Sequence, residues 1–148
     1  MATLSAPQPL IREHEYHVVN NDRIIQSRDG RLVVPVAQHR MNIAGFANPG
    51  LIFYLLSDDD GKTWKESASS YYRCFPDGNG WQEPGVIELA DGRLWSWMRT
   101  GWPGVQSQCG RQWQSFSEDG GGIAIRLALQ PVIDETHSRH QRFTGGVE

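Results

Sequence analysis

Two residues of opposite charge carry the first chemical suggestion in this sequence. Glu83 and Arg99 stand 16 positions apart and flank an Asp-Gly turn at Asp91–Gly92. A guanidinium is planar, stays charged at any working pH and pairs a carboxylate through two parallel hydrogen bonds, so Arg99 suits an anionic ligand. Glu83 beside it completes a pair of candidate site residues. Each also has a purely structural reading: Glu83 precedes Pro84 and reads as a loop carboxylate, and Arg99 reads as the partner of an acid in a neighbouring unit. Other chemistry is weaker. His14 and His17 lie three apart with no HExxH pattern or third ligand, so zinc is not expected. Tyr71 and Tyr72 are aromatic enough to line a sugar cleft but read more simply as packing or loop residues. Asp22 with Arg23 reads as a local ion pair, and Cys74 and Cys109 leave pairing and free thiols equally open.

The stretch SDDDGKTW, Ser57 to Trp64, admits three readings: a cation loop, a phosphate loop or a turn. A calcium loop of the EF-hand kind needs oxygen ligands at alternate positions and an acid at its end, whereas Asp58, Asp59 and Asp60 are adjacent. A P-loop needs an earlier glycine that is missing before Gly61-Lys62-Thr63. The turn has a mechanism: Asp59 bonds the backbone N–H groups of its own turn, Gly61 takes positive φ, and Trp64 packs beneath.

The elements that position these residues are strands. Short segments rich in β-branched and aromatic residues, at Arg23–Gln26, Leu32–Ala37, Leu51–Leu56, Val86–Leu89, Leu94–Met98 and Trp113–Ser117, are bounded by Gly, Asp, Asn or Pro. No sustained 3.6-residue apolar period runs between Arg12 and Gly121, and six tryptophans with sixteen glycines also favour an all-β chain. The 148 residues suffice for one ordinary domain. A net charge of −3 with both signs dispersed gives no reason to expect nucleic acid, and the longest apolar run, Leu51–Leu56, is too short to span a membrane. No export signal is visible in Met1–Leu10.

The chain repeats itself. RDGRLVVPVA (Arg28–Ala37) aligns with ADGRLWSWMR (Ala90–Arg99), and SDDDG (Ser57–Gly61) with SEDGG (Ser117–Gly121), in the same order and at similar spacing. Each unit reads as strand, Asp-Gly turn, strand, variable loop, strand and Ser-x-Asp-x-Gly turn. Four short strands in about 50 to 60 residues is the size of a propeller blade. Structural residues recur in both units and functional ones in one only. Arg31 and Arg93 recur and are assigned to structure, whereas Glu83 aligns with Asn21 and Arg99 with Ala37.

Ser57-x-Asp59-x-Gly61-x-Thr63-Trp64 resembles the Asp box, or bacterial neuraminidase repeat, of sialidases and their relatives. Tyr16–Ala37 and Trp81–Thr100 look like consecutive blades of the bacterial exo-sialidase-like branch, and the resemblance covers about Tyr16 to Gly121. It implies an all-β, partial β-propeller with antiparallel four-stranded blades, six-bladed in the full family. It also implies release of terminal sialic acid from glycans with retention, with no metal or organic cofactor. In that family a Glu placed as Glu83 hydrogen-bonds the tyrosine nucleophile and eases its deprotonation. An Arg placed as Arg99 belongs to a three-arginine cluster that holds the substrate carboxylate. A tyrosine avoids the repulsion that an attacking carboxylate would suffer from an anionic sugar.

The expected organisation is a lead-in at 1–15, a first blade region at 16–80 with its box at 57–64, a second at 81–121 with a shortened box at 117–121, and an atypical tail at 122–148. Ile123 and Ala124 stand where a second Thr-Trp is due. Back-translated and read one nucleotide later, Gln130–Val147 permits a strand pair like the family's next one, so a frame shift between about Gly120 and Gln130 is expected. The tyrosine, the catalytic acid and the other arginines fall outside the matched region. The chain is therefore expected to be a fragment, inactive alone, with sialylated glycan or another carbohydrate as partner and self-association through open blade edges. The family is usually secreted or periplasmic. The rival expectation is a non-catalytic Asp-box propeller that binds glycans or proteins; a propeller hydrolase acting on a different sugar is the third.

Overall fold

The computed structural model describes residues 6–20, 22–42, 45–72, 80–100 and 112–118. Cys74, Cys109 and the expected tail at 122–148 lie outside them, as does most of the shortened second box. Among the described residues every regular element is a strand, and no helix is long and apolar enough to cross a membrane. The fold is all-β and antiparallel throughout.

The first sheet is built on a long hairpin of β3 (Leu32–Asn42) and β4 (Gly45–Ser57). Their pairing runs from Leu32↔Ser57 to Asn42↔Gly45, with an irregularity between His39 and Met41. The period-2 alternation of a strand sorts their side chains onto two faces. Val33, Ala37, Ile52, Tyr54 and Leu56 enter the core shared with the second sheet. Val34, Val36, Phe53 and Leu55 form a second cluster, covered by Leu10, Ile11, Val19 and Trp64. This hairpin corrects the expected strands Leu32–Ala37 and Leu51–Leu56 with a variable loop between. Pro49 and Gly50 read as breakers, yet glycine inside a strand also marks a close backbone approach. At Gly50 the neighbour is the Trp81 backbone of the other sheet.

The flanking strands are interrupted. β1 (Tyr16–Val18) pairs with His39–Ala37, and β2 (Ile25–Gln26) with Val33–Leu32, so the expected strand Arg23–Gln26 is shorter than foreseen. The gap opposite Val34–Val36 has a cause. The N–H of Tyr54 donates to Ser67 Oγ at 3.1 Å, and its C=O accepts the Ser67 N–H at 2.7 Å. Both groups thus face away from β3, which makes Pro35↔Tyr54 a non-hydrogen-bonded pair. The nitrogen of Pro35 then faces the first strand and offers no donor, and the ladder opens there. On the far side, β5 (Lys65–Glu66) and β6 (Tyr71–Tyr72) pair with separate parts of β4.

The second sheet is a meander of β7 (Trp81–Glu88), β8 (Leu94–Thr100) and β9 (Gln112–Ser117). Its register repeats the first: Leu94 opposes Ser117 as Leu32 opposes Ser57, and both serines are buried. The two Asp-Gly turns are built alike. Asp29 and Asp91 accept the N–H of Arg31 and Arg93, at 3.3 and 3.1 Å, while Gly30 and Gly92 take φ of 91° and 86°. The recurrent arginines serve structure. Arg31 donates to Asp58 at 2.5 Å, and Arg93 donates to Asp91 at 2.8 Å and lies over the Phe116 ring.

SDDDGKTW folds as a self-satisfied turn. Gly61 N–H donates to Ser57 Oγ at 2.8 Å. Asp59 accepts from Ser57 Oγ at 2.9 Å and from the Thr63 N–H and hydroxyl at 2.8 and 2.7 Å. Trp64 Nε1 donates to the Gly61 carbonyl at 3.0 Å while its ring packs on the second cluster. The Thr63 bonds, above all, pull the Asp59 carboxyl down to about 2 from the ordinary 3.8. A carboxyl lowered on folding stabilises the fold above its unfolded pKa and loses that contribution as pH falls through the folded value. The urea midpoint is therefore expected to drop between pH 4 and pH 2, and Asp59→Asn to flatten that drop. An Asn variant with the wild-type acid profile would refute the assignment.

The sheets share one core, in which Val33, Ile52, Tyr54 and Leu56 meet Trp81, Val86, Leu94, Met98 and Trp113. A polar thread crosses it. Ser96 Oγ donates to the Gly85 carbonyl at 2.8 Å, and Tyr54 hydrogen-bonds Ser96 Oγ. Ser96 has a single proton, directed at Gly85, so Tyr54 is the donor. Burial pushes the Tyr54 hydroxyl well above its ordinary pKa, which keeps that proton in place.

Candidate functional site

The candidate pair sits where β7 departs from regular pairing. Gln82 opposes Arg99 and Gly85 opposes Trp97, so Glu83 and Pro84 together face Met98 in a β-bulge. Glu83 has φ of +48°. Left-handed backbone is uncommon for a residue with a side chain and costs about 1–3 kcal/mol, so the surroundings must hold it. Bulges re-aim side chains, and this one turns the Glu83 carboxylate to Arg99, with which it forms an ion pair. Their side chains are 35% and 43% exposed, so the pair is screened by water and adds little to stability.

The bulge is held from the other sheet. Arg23 Nη1 donates to the carbonyl of Glu83 and, at 3.4 Å, to that of Pro84. Asn20, with its amide oxygen toward Arg23, accepts from the guanidinium at 3.0 and 3.2 Å. Instead of pairing locally with Asp22, Arg23 reaches across the seam. Nearby, His39 is buried, and its Nδ1 lies 2.9 Å from the Ala47 carbonyl oxygen. The Arg99 hydrogen bond, followed by the charges of Arg99, Arg23 and His39, holds Glu83 below the usual carboxylate range against the opposing effect of burial. Glu83 is thus an ionised hydrogen-bond acceptor at neutral pH, flanked by two guanidinium groups.

Trp81, two residues before Glu83, packs with Trp113 in the shared core, their rings 6.0 Å apart and tilted by 59°. The Trp81 indole N–H is buried with no hydrogen-bond partner among the described residues. Tyr71 packs against the shared core, and Tyr72 is exposed. His17 meets the Phe53 ring edge-on, and its Nδ1 lies 3.0 Å from the Glu15 carbonyl oxygen. Among the described residues no group of three His, Cys, Asp or Glu side chains is placed to hold a metal. The fold brings the candidates Glu83 and Arg99 together and places beside them Arg23, expected only as a local ion pair, and His39, which was not a candidate. The signal for Arg23 was present: it aligns with Gly85, so the one-unit-only criterion that selected Glu83 selects it too.

No protein-family model matches the chain, and no curated protein does. Among solved structures it is similar to a protein of unknown function from Dyadobacter fermentans DSM 18053, at 24% identity over 70% of this chain, with a TM-score of 0.48. The chain spans 26% of the length of that protein.

Proposed function

We propose that the two sheets are consecutive blades of an Asp-box β-propeller, and that Glu83 and Arg99 form part of the carbohydrate site of a sialidase-like glycoside hydrolase. Like elements lying beside like elements support the blade reading. Arg28 of the first Asp-Gly turn donates to the Leu89 and Ala90 carbonyls of the second, each at 3.0 Å, and its N–H bonds Glu88 at 2.8 Å. The functional reading rests on one observation: the Glu83–Arg99 pair on a strained bulge at the seam between the sheets.

Arg99 offers a fork for the carboxylate of a sialic acid. Ionised Glu83 accepts a hydrogen bond from a hydroxyl nucleophile and takes up that proton as the hydroxyl oxygen attacks. In this reading the tyrosine nucleophile, the acid and the remaining arginines come from further blades, so the chain alone binds weakly and does not turn over. The rival is a non-catalytic propeller that binds glycans or proteins. It is favoured by the depressed Glu83 pKa, which makes that carboxylate a weak base while Arg99 remains beside it.

The test is a titration of the isotopically labelled chain with N-acetylneuraminic acid and with galactose. The acidic sugar is expected to shift Glu83 and Arg99 signals with a dissociation constant on the order of 1 mM. Galactose is expected to leave them in place, and Arg99→Ala to abolish the response. Equal shifts with galactose would remove the anionic specificity, and no response to either sugar would remove the carbohydrate reading. Hydrolysis of an aryl sialoside by the purified chain would overturn the claim that further blades are required.

A further inference from the structure

We propose that Arg23 is a positioning residue for Glu83: a cross-sheet fork that holds the bulge carbonyls and so aims the Glu83 carboxylate at Arg99. The proposal takes Glu83 as a functional group, as the reading above does, but asks only where its carboxylate is held. Three observations converge on it. Glu83 adopts left-handed backbone although it carries a side chain and precedes a proline, which itself favours extended backbone at the preceding residue. The carbonyls of both bulge residues, Glu83 and Pro84, accept from the same Arg23 nitrogen. Arg23 stands just before β2, next to the gap opened at Pro35, so its segment is free of the ladder and able to cross the seam.

Arg28 supplies the internal control. It too reaches from the first sheet to paired carbonyls of the second, those of Leu89 and Ala90, but at the Asp-Gly turns. The two arginines make the same kind of bond across the same seam, and only Arg23 acts on the bulge. A merely structural clamp predicts like consequences for both; a positioning residue predicts a consequence at Glu83 for one. The groups that face Glu83 are Arg99 on β8, Arg23 itself and His39 on β3.

The experiment follows the Glu83 carboxyl resonance of the full chain through a pH titration, with no sugar added, so its outcome does not depend on the substrate. Arg23→Met is expected to raise the Glu83 midpoint toward the usual carboxylate range. Arg23→Lys, which keeps the charge but loses the fork, is expected to restore part of the shift. Arg28→Met is expected to leave the midpoint where it is while lowering the urea midpoint. An unmoved midpoint in folded Arg23→Met, an equal shift in Arg28→Met, or full restoration by lysine would each overturn the proposal. Should Arg23→Met not fold, the wild-type chain still decides. Sharp, separately resolved Arg23 Nη signals with a through-bond coupling to the Glu83 carbonyl are expected, and freely averaging Nη signals would overturn it.

Discussion

Replacing Tyr54 by alanine is expected to cost about 3–5 kcal/mol, the range for removing a buried aromatic ring from a core. That is a large share of the roughly 5–15 kcal/mol that holds a domain together. Tyr54 is 2% exposed and sits where the two sheets meet, so the vacated space borders both and neither can collapse into it without moving the other. Ser96 also loses the hydroxyl that donates to it. The two contributions separate in Tyr54→Phe, which keeps the ring and removes one hydrogen bond, for an expected loss of about 0.5–1.5 kcal/mol. Urea denaturation followed by tryptophan fluorescence measures both. A Tyr54→Ala loss no greater than that of Tyr54→Phe would show that the ring does not fill the seam.

The second large effect is expected at Gly50. A Cβ there would lie 2.9 Å from the Trp81 carbonyl oxygen and 3.2 Å from His39 Cε1. The first neighbour is backbone, which cannot swing aside as a side-chain tip can, so Gly50→Ala must part β4 from β7. Such overpacking costs about 1–3 kcal/mol. Trp81 leads directly into the bulge, so the same substitution is expected to broaden or shift the Glu83 and Arg99 resonances. Comparing the urea midpoint and those resonances with wild type checks the claim. An unchanged midpoint would mean that the sheets do not approach as closely at Gly50 as described.

Much of the local structure could be read from the residues because local chemistry dictates it. The Asp-Gly turns need positive φ at glycine and an aspartate to take the following N–H groups, and both requirements are written within five residues. The Asp-box turn is likewise closed by its own Ser57, Asp59 and Thr63. What could not be read depends on partners distant in sequence. Pro49 and Gly50 are breakers by local preference and strand residues by tertiary packing. Arg23 resembles any surface arginine until the bulge carbonyls, 60 residues away, come to meet it. Glu83 and Arg99 were visible as a pair because each is peculiar to one unit. Their mutual neutralisation was not, because it depends on a bulge that no residue preference announces.

The missing hydrogen on the Pro35 nitrogen has a consequence for how duplicated units come to fit one another. Where the first unit has proline, the second has Trp97, which keeps its N–H, and β7 runs past it unbroken apart from the bulge. One copy therefore releases an arm carrying a donor, and the other raises a ridge of carbonyls at the corresponding place. Two copies of one hairpin would offer each other identical surfaces. Pro35 in one unit and the Glu83–Pro84 bulge in the other make the facing surfaces unlike, as tongue and groove, and give the seam a direction from the first unit to the second.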